Sequence, residues 1–271
     1  MAGVSGESLA AAHERLAAVL PDATLRLAEE LFGMLGTLDS SAGLRRSMTD
    51  PSRPGNDKEA LAHRLFGGKV SADAESIISS LASSRWARPR DIGDALETLG
   101  ATVAVAVAER DAGGLGGLEG LENDLFAFNK AVGGNHDLQR ALDEPQASAE
   151  AKSNLALKLV PQAGEPARVL IRQAVSNPRG LKPTALVERF VELVAERQER
   201  WIAYVTVSRP ISGQQLDRLQ AGLDRLYGRS LKITVDVDRQ LVGGVRVKVG
   251  DEVIDASVIT RLGELRRQLA G

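Results

Sequence analysis

Hydrophobic residues recur at intervals of three and four over most of the first 200 positions. In the stretch 7–20, Leu9, Ala12, Leu16 and Leu20 lie near one stripe of an amphipathic helix. Similar patterns, with prolines at their ends, predict further helices. Their ranges are 21–38, 41–48, 56–66, 72–84, 89–111, 119–133, 135–143, 148–159, 165–176 and 184–202. This part of the chain is therefore predicted to be all helical.

The period of the pattern changes after position 202. Alternation in AYVTVSR predicts a strand over 203–209, and Val245, Val247 and Val249 alternate with Arg246 and Lys248. The remaining predicted elements are a helix over 212–226, strands over 231–237 and 252–254, a turn at Gly250-Asp251, and a final helix over 257–269 with Val258, Leu262, Leu265 and Leu269 on one face. The C-terminal part is thus predicted as β-α-β-β-β-α, and the chain as α+β, mostly α.

The helical part contains an internal repeat. When the chain is shifted by 94 positions against itself without a gap, 14 positions between 30 and 101 are identical. The first members of these pairs are Leu31, Phe32, Leu44, Arg46, Pro51, Lys58, Leu61, Ala62, Leu65, Ile77, Arg85, Pro89, Leu99 and Ala101. The repeat predicts two tandem, duplicated helical bundles, 1–112 and 113–202, followed by a small domain over 203–271. The glycine-rich run 113–117 is predicted to be a flexible hinge.

The helix over 89–111 has two interpretations. It carries no charged residue between Thr98 and Ala108, and a helix that is apolar all round must be covered on all sides. The offset of 94 places 5–19 on 99–113, so this helix could close the first bundle and also open the second. The alternative is an ordinary core helix of one large bundle.

Composition and charge exclude several classes of function. A net charge of −2 and 3% aromatic residues argue against nucleic-acid binding. The chain has no cysteine, and its three histidines lie far apart, which argues against thiol chemistry and a metal site. No signal peptide or bilayer-spanning segment is visible, so a cytoplasmic location is expected. No catalytic constellation is present, and no catalytic, cofactor or metal residues are predicted.

Two features near the C-terminus invite a functional interpretation. The pair Gly243-Gly244 has three explanations that the sequence leaves open: close packing of a strand against a helix, docking of a partner segment, or phosphate binding. Asp255 or Ser257 is predicted to cap the N-terminus of the final helix.

The stretch LKITVDVDRQLVGGVRVKVG at 231–250 and the residues after it resemble the delta subunit of the F-type ATP synthase, the bacterial counterpart of the mitochondrial oligomycin-sensitivity-conferring protein. The residues that carry this signature are Leu231, Ile233, Val237, Asp238, Leu241, Gly243, Gly244, Val247, Gly250 and Asp255. Members of that family usually have one helical bundle before the α/β tail. This chain is longer by about one bundle, as in extended actinobacterial forms.

The resemblance implies a non-catalytic stator subunit without a cofactor. In that family the helical domain holds the N-terminal helices of the alpha subunits, and the C-terminal part meets the b subunits. It also implies a place on the cytoplasmic face of the cell membrane, with membrane contact only through the complex. The predicted alpha contact comprises Leu9, Ala12, Leu16, Ile92, Leu96 and Leu99, with the alternative that these residues only fill the bundle core.

Two other functions remain alternatives at this stage. One is a small-ligand or nucleotide-binding protein with its site at the Gly243-Gly244 strand and Asp255. The other is a general helical scaffold.

Overall fold

The computed structural model describes residues 3–238, 241 and 243–255. The chain divides into two compact units, Met1–Val194 (unit 1) and Ala195–Gly271 (unit 2). The predicted α+β, mostly α fold class is confirmed. The helices are α1 Val4–Val19, α2 Leu25–Asp39, α3 Ala42–Thr49, α4 Gly55–Phe66, α5 Ala72–Ser83, α6 Asp91–Asp111, α7 Leu115–Gly133, α8 His136–Asp143, α9 Ala149–Leu159, α10 Glu165–Ser176, α11 Pro183–Glu199 and α12 Gly213–Tyr227.

Several predicted boundaries are wrong. The helix predicted from position 21 begins at Leu25. The break predicted over 113–117 ends three residues early, because α7 begins at Leu115. Positions 112–114 make the turn between α6 and α7, and Gly113 and Gly114 have φ of 82° and 75° there. The helix predicted over 184–202 ends at Glu199, because a strand begins at Ile202.

The helices of unit 1 repeat at the predicted interval. Helix α8 lies 94 positions after α3 at both ends, and α9 begins 94 positions after α4. Ser41 caps α3 by accepting a hydrogen bond from Leu44 N, and Asn135 caps α8 by accepting one from Leu138 N. We refer to α1–α6 as the first repeat and to α7–α11 as the second repeat. The predicted domain boundary at 112/113 stays a prediction.

One side-chain contact appears in both repeats. Arg45 Nη1 donates to the carbonyl oxygens of Leu38 and Asp39, at 3.0 and 2.8 Å. At the corresponding position Gln139 Nε2 donates to the carbonyl oxygens of Val132 and Gly133, both at 3.1 Å. Each donor satisfies carbonyls that the end of a helix leaves without a partner.

Helix α6 lies at the centre of unit 1. It packs against α1 and α2 of the first repeat and also against α7 and α10 of the second. Every residue from Val103 to Glu109 is buried. The uncharged stretch predicts that this helix is covered on all sides, and the burial of these residues agrees with that prediction.

Unit 2 contains a four-stranded sheet. The strands are β1 Ile202–Val207, β2 Lys232–Val237, β3 Val245–Val249 and β4 Glu252–Asp255, in the spatial order β2-β1-β3-β4. β1 pairs with β2 in parallel, and the other two pairs are antiparallel. The predicted order of strands and helix is confirmed over the described residues, and the final helix over 257–269 lies outside them.

One face of the sheet holds the core of unit 2. Ala203, Val205 and Val207 alternate along β1 and are at most 4% exposed. Leu223 of α12 packs against them. Ser212 and Gln215 form a capping box at the start of α12, and Gly228 ends the helix with a left-handed φ of 66°.

Candidate partner-binding surfaces

Most apolar residues of the 231–250 signature build the core of unit 2. Leu231 and Val247 are 3% and 4% exposed and belong to the core cluster, and Ile233 packs against it. Leu241 is also buried. Val237 is the exception: it is 40% exposed at the end of β2. The apolar part of the signature therefore mainly specifies the fold of this unit.

The glycines of the signature have backbone conformations that other residues rarely adopt. The φ angles of Gly243, Gly244 and Gly250 are 141°, 89° and 57°. A Cβ at these positions would be strained against the backbone. Backbone conformation alone thus requires glycine in the 243–244 pair, a reason that the sequence analysis did not include. The three sequence-based explanations stay predictions.

The polar residues of the signature have structural partners. Asp238 N donates to the Val207 carbonyl at 2.9 Å and so extends the pairing of β1 and β2. Asp255 Oδ2 accepts from Arg246 Nη2 at 3.1 Å, across β3 and β4. The Asp255 carboxylate of the suggested ligand site is therefore held in an ion pair. Ser257, the other predicted cap, lies outside the described residues.

Five of the six residues predicted to contact the alpha subunit lie in the core of unit 1. Ala12, Leu16, Ile92, Leu96 and Leu99 are each at most 2% exposed. Only Leu9 is partly exposed. The alternative, that these residues fill the bundle core, fits this burial, and a partner contact through them stays a prediction.

A different surface in unit 1 has the properties of a docking site. A groove of about 290 Å³ lies between the end of α6, α7 and the start of α10, and Leu25 at the start of α2 also lines it. Its apolar lining includes Val107, Ala108, Leu121, Pro166 and Ala167. Gly116 and Gly120 stand one turn apart on α7, and a Cβ built at either would meet nothing within 4 Å. The groove is therefore open where these two glycines lack side chains.

Carboxylates surround this apolar floor. Asp111, Asp124 and Glu165 line the groove together with the apolar residues. Asp124 Oδ2 accepts a hydrogen bond of 2.8 Å from Gly164 N at the start of α10, where an anion is favoured by the helix dipole. Asp111 pairs with Arg110 at 2.8 Å, and Glu165 lies 3.7 Å from Arg168. The groove thus combines an apolar floor with an acidic rim.

The first repeat lacks the glycines of this groove. Positions 94 residues before Gly116, Gly120 and Gly164 are Asp22, Arg26 and Val70. Glu30, the counterpart of Asp124, accepts from Ser71 N and from Arg26 Nε. Burial opposes ionisation of Glu30, but a hydrogen bond from Ser71 Oγ, together with those from Arg26 Nε and Ser71 N, lowers its pKa below the ordinary value. The first repeat thus carries side chains at the positions where the second has glycine.

Sequence reasoning missed this groove. The available signal was the replacement of Asp22 and Arg26 by Gly116 and Gly120 between two otherwise related helices. Glycine in the interior of a helix lowers its stability relative to alanine, so two of them at a spacing of four need a reason. We had instead assigned the glycine-rich run to a hinge.

Unit 2 exposes several large apolar side chains. Val235 and Val237 of the edge strand β2 are 37% and 40% exposed, and Leu226 of α12 is 64% exposed. Through the register of β1 and β2, Val235 and Val237 share a face with the buried Val205 and Val207. The apolar face of the sheet therefore continues to an accessible edge.

The described residues show no other centre of chemistry. Among them, no group of three or more His, Asp or Glu residues could hold a metal ion. None of the helices in this part of the chain is both long and apolar enough to cross a bilayer.

Known proteins similar to this chain point to one family. The family model described as ATP synthase delta (OSCP) subunit matches residues 101–269, starting inside α6. ATP synthase subunit delta of Arthrobacter sp. (strain FB24) is 66% identical, and that of Renibacterium salmoninarum 62%, with all of both chains covered in each case. A chain from the Toxoplasma gondii mitochondrial ATP synthase hexamer is 21% identical, with a TM-score of 0.34, over 63% of this chain and 96% of that chain. The chain belongs to the ATP synthase delta (OSCP) subunit family.

Proposed function

We propose that the chain is a non-catalytic stator subunit of an F-type ATP synthase. It would link the alpha subunits of the catalytic head to the b subunits of the peripheral stalk, so that the head stays still while the rotor turns. Full-length similarity to delta subunits that are 62–66% identical carries this proposal. In this role the chain works on the cytoplasmic face of the membrane as a peripheral part of the complex, with no cofactor and no turnover of its own.

The alpha contact is best assigned to the groove of the second repeat. An apolar helix face laid in the groove would cover Leu25, Ala112 and Pro166, the apolar lining residues that are not buried, and would gain about 25 cal/mol for each Å² of apolar surface removed from water. The carboxylates of Asp111 and Glu165 at the rim favour basic residues beside that face. We therefore expect an amphipathic helix from the N-terminus of alpha to bind here, instead of at the buried residues around Leu16.

The b contact is best assigned to unit 2. Val235 and Val237 lie on the face of the sheet that is buried elsewhere, and β2 has a neighbour on one side only in the described sheet. A b subunit that covers Val235 and Val237 would bury the part of the apolar face that is still exposed. Because Thr234 points to the opposite face of the same strand, this assignment has a built-in control.

We also propose that α6 serves both repeats. It contacts helices of each, and the family match begins at residue 101, close to position 98, where the offset of 94 places the counterpart of Val4. The second half of α6 then occupies in the second repeat the place that α1 has in the first.

Binding of an alpha N-terminal peptide to the full chain tests the alpha assignment by calorimetry. Gly120→Leu fills the groove without meeting another atom near its Cβ, and it should weaken binding by at least about tenfold. Gly36→Leu is the matched control, because Gly36 is an exposed glycine of α2 with nothing within 4 Å of an added Cβ. Equal affinity in both variants would contradict the groove assignment.

Co-purification of the complex tests the stator role itself. Tagged full-length chain should recover alpha and b subunits, and Val235→Lys should reduce the yield of b while Thr234→Lys does not. A chain that recovers neither subunit would overturn the proposed function.

A further inference from the structure

Arg179 connects the two repeats through a buried ionic cluster. Its side chain is 5% exposed although the residue lies in the turn after α10. Arg179 Nε lies 2.7 Å from Asp39 Oδ2, and Nη1 lies 2.6 Å from Asp94 Oδ1 and 3.8 Å from Glu97 Oε2. All three carboxylates belong to the first repeat. The turn of the second repeat thus places its guanidinium inside the first.

The surrounding structure is shaped to receive this side chain. A Cβ on Gly93 would lie 2.5 Å from Arg179 Nη2 and 3.2 Å from its Cζ, so any larger residue would displace the guanidinium from its present position. Among the described residues, Arg179 alone has a positive φ, 53°, without being glycine. Its carbonyl accepts a hydrogen bond of 2.8 Å from Arg90 Nη2. Backbone and side chain of Arg179 are therefore both held by the first repeat.

The counterpart of Arg179 in the first repeat behaves differently. Arg85 stands 94 positions earlier and is one of the identical residues of the duplication, yet it is exposed. Its carbonyl accepts from Ser8 Oγ, but its side chain joins no buried cluster like that of Arg179. The arginine at this position of the repeat is thus exposed in the first repeat and has a buried side chain in the second.

The receiving site is also specific to the first repeat. The positions that correspond to Asp39, Gly93 and Glu97 in the second repeat are Gly133, Val187 and Val191. Two carboxylates are absent there, and a valine stands where glycine leaves room for the guanidinium. The second repeat therefore has no equivalent site for a buried arginine side chain. The contact forms only with the arginine in the second repeat and its acceptors in the first, so it fixes the order of the repeats.

We propose that Arg179 locks the two repeats of unit 1 into one cooperative body. Glu97 is buried beside this guanidinium, while Asp39 and Asp94 are half-buried, so removal of the cation leaves one buried carboxylate without this partner and takes an ion pair from each of the other two, which is unfavourable. Partial opening of either repeat at this junction exposes the same cluster. The two repeats therefore open together, and a load applied to one is carried by both. This inference concerns the isolated chain and holds independently of the proposed stator role.

Native-state hydrogen exchange on the full chain tests the lock. In the wild type, the slowest amides of α5 and of α10 should share one opening free energy. In Arg179→Met the two sets should separate by at least about tenfold in exchange rate, because the repeats then open independently. Arg85→Met removes the same atoms from the corresponding exposed position and should leave the sets together. Equal behaviour of Arg179→Met and Arg85→Met would overturn the proposal.

A second variant tests the lock without changing any charge. Gly93→Ala adds only the methyl group that collides with the Arg179 guanidinium, whereas Gly36→Ala adds one where nothing lies within 4 Å. Since alanine favours helix over glycine, both variants should otherwise gain stability. In Gly93→Ala, the slowest amides of α5 and α10 should exchange with different opening free energies. In Gly36→Ala, they should still share one. If Gly93→Ala leaves the exchange rates of α5 and α10 unchanged, the proposed lock is overturned, whatever the result for Arg179→Met.

Discussion

The two repeats of unit 1 share their helices but not their surfaces. Helices α3 and α8 have the same length, and the side chains of Ser41 and Asn135 accept hydrogen bonds from corresponding backbone amides at their N-termini. Most positions differ between the repeats, among them Asp39 against Gly133 and Arg26 against Gly120. Helix caps and core positions determine the fold and so limit change, whereas surface positions are free to diverge. The first repeat has become the acceptor of Arg179, and the second has acquired an open groove.

The largest contrast is expected at a pair of identical phenylalanines. Phe32 is 8% exposed, and its ring lies against Gly100, where an added Cβ would be 2.7 Å from Cε1. Phe126, its counterpart, is 50% exposed, and Val194 stands in the place of Gly100. Phe32→Ala should cost about 3 kcal/mol or more, and Phe126→Ala less than about 1 kcal/mol. Urea unfolding followed by the helical circular dichroism signal measures both.

The control for this pair is built into the duplication, because both substitutions remove the same side chain from corresponding helices. Similar losses in the two variants would show that the repeats have not diverged in how they bury this ring.

A smaller but sharp difference is expected where α7 begins. A Cβ on Gly117 would lie 2.1 Å from the Ala108 carbonyl oxygen of α6, while one on Gly116 would meet nothing within 4 Å. The first repeat has Ala23 at the position of Gly117. Gly117→Ala should therefore destabilise unit 1 by about 2 kcal/mol, and Gly116→Ala should stabilise it by about 0.5 kcal/mol. Thermal unfolding midpoints that move in the same direction for both would contradict the close approach of α6 and α7.

A pH-dependent effect is expected at Glu97, whose counterpart Val191 cannot titrate. Burial raises the pKa of the Glu97 carboxyl above its ordinary value, against the opposing charge of Arg179. Glu97 Oε1 is buried and accepts no hydrogen bond within the described part of the chain. The folded state thus binds this proton more tightly than the unfolded state does, so this group makes the fold more stable as the pH falls through the raised pKa.

Glu97→Gln should accordingly be at least as stable as the wild type at pH 7, with the difference closing as the pH is lowered toward about 4.3, the ordinary pKa of glutamate. Asp94→Asn serves as the comparison, because Asp94 bonds Arg179 directly and its loss should lower stability at pH 7. Urea midpoints across this pH range measure both. A Glu97→Gln variant that is clearly weaker than the wild type at pH 7 would show that the charged form of Glu97 is needed.

The elements of the fold were predictable because they depend on local pattern. Apolar spacing located the helices, alternation at Val245, Val247 and Val249 located a strand, and the offset of 94 revealed the repeat. The end of α11 was misplaced since Trp201 and Ile202 fit the helical period and the strand pattern equally well.

The functional surfaces were harder to predict because they depend on long-range geometry. The sequence shows that Arg85 and Arg179 correspond, but only the packing of α10 against α2 and α6 shows which one is buried. The groove arises from side chains that are absent at Gly116 and Gly120, and its walls come from four helices. The predicted contact residues around Leu16 and Leu96 were apolar and periodic, which is also the pattern of core positions.

The most direct test of the account is a hydrogen-exchange footprint of the full chain with and without an alpha N-terminal peptide. The groove assignment predicts slower exchange in 116–124 and 165–167 on addition of the peptide, with no change in 26–30 of the first repeat, which correspond to 120–124 and do not line the groove. Protection confined to 26–30 and the end of α1, or no protection in either repeat at saturating peptide, would contradict it.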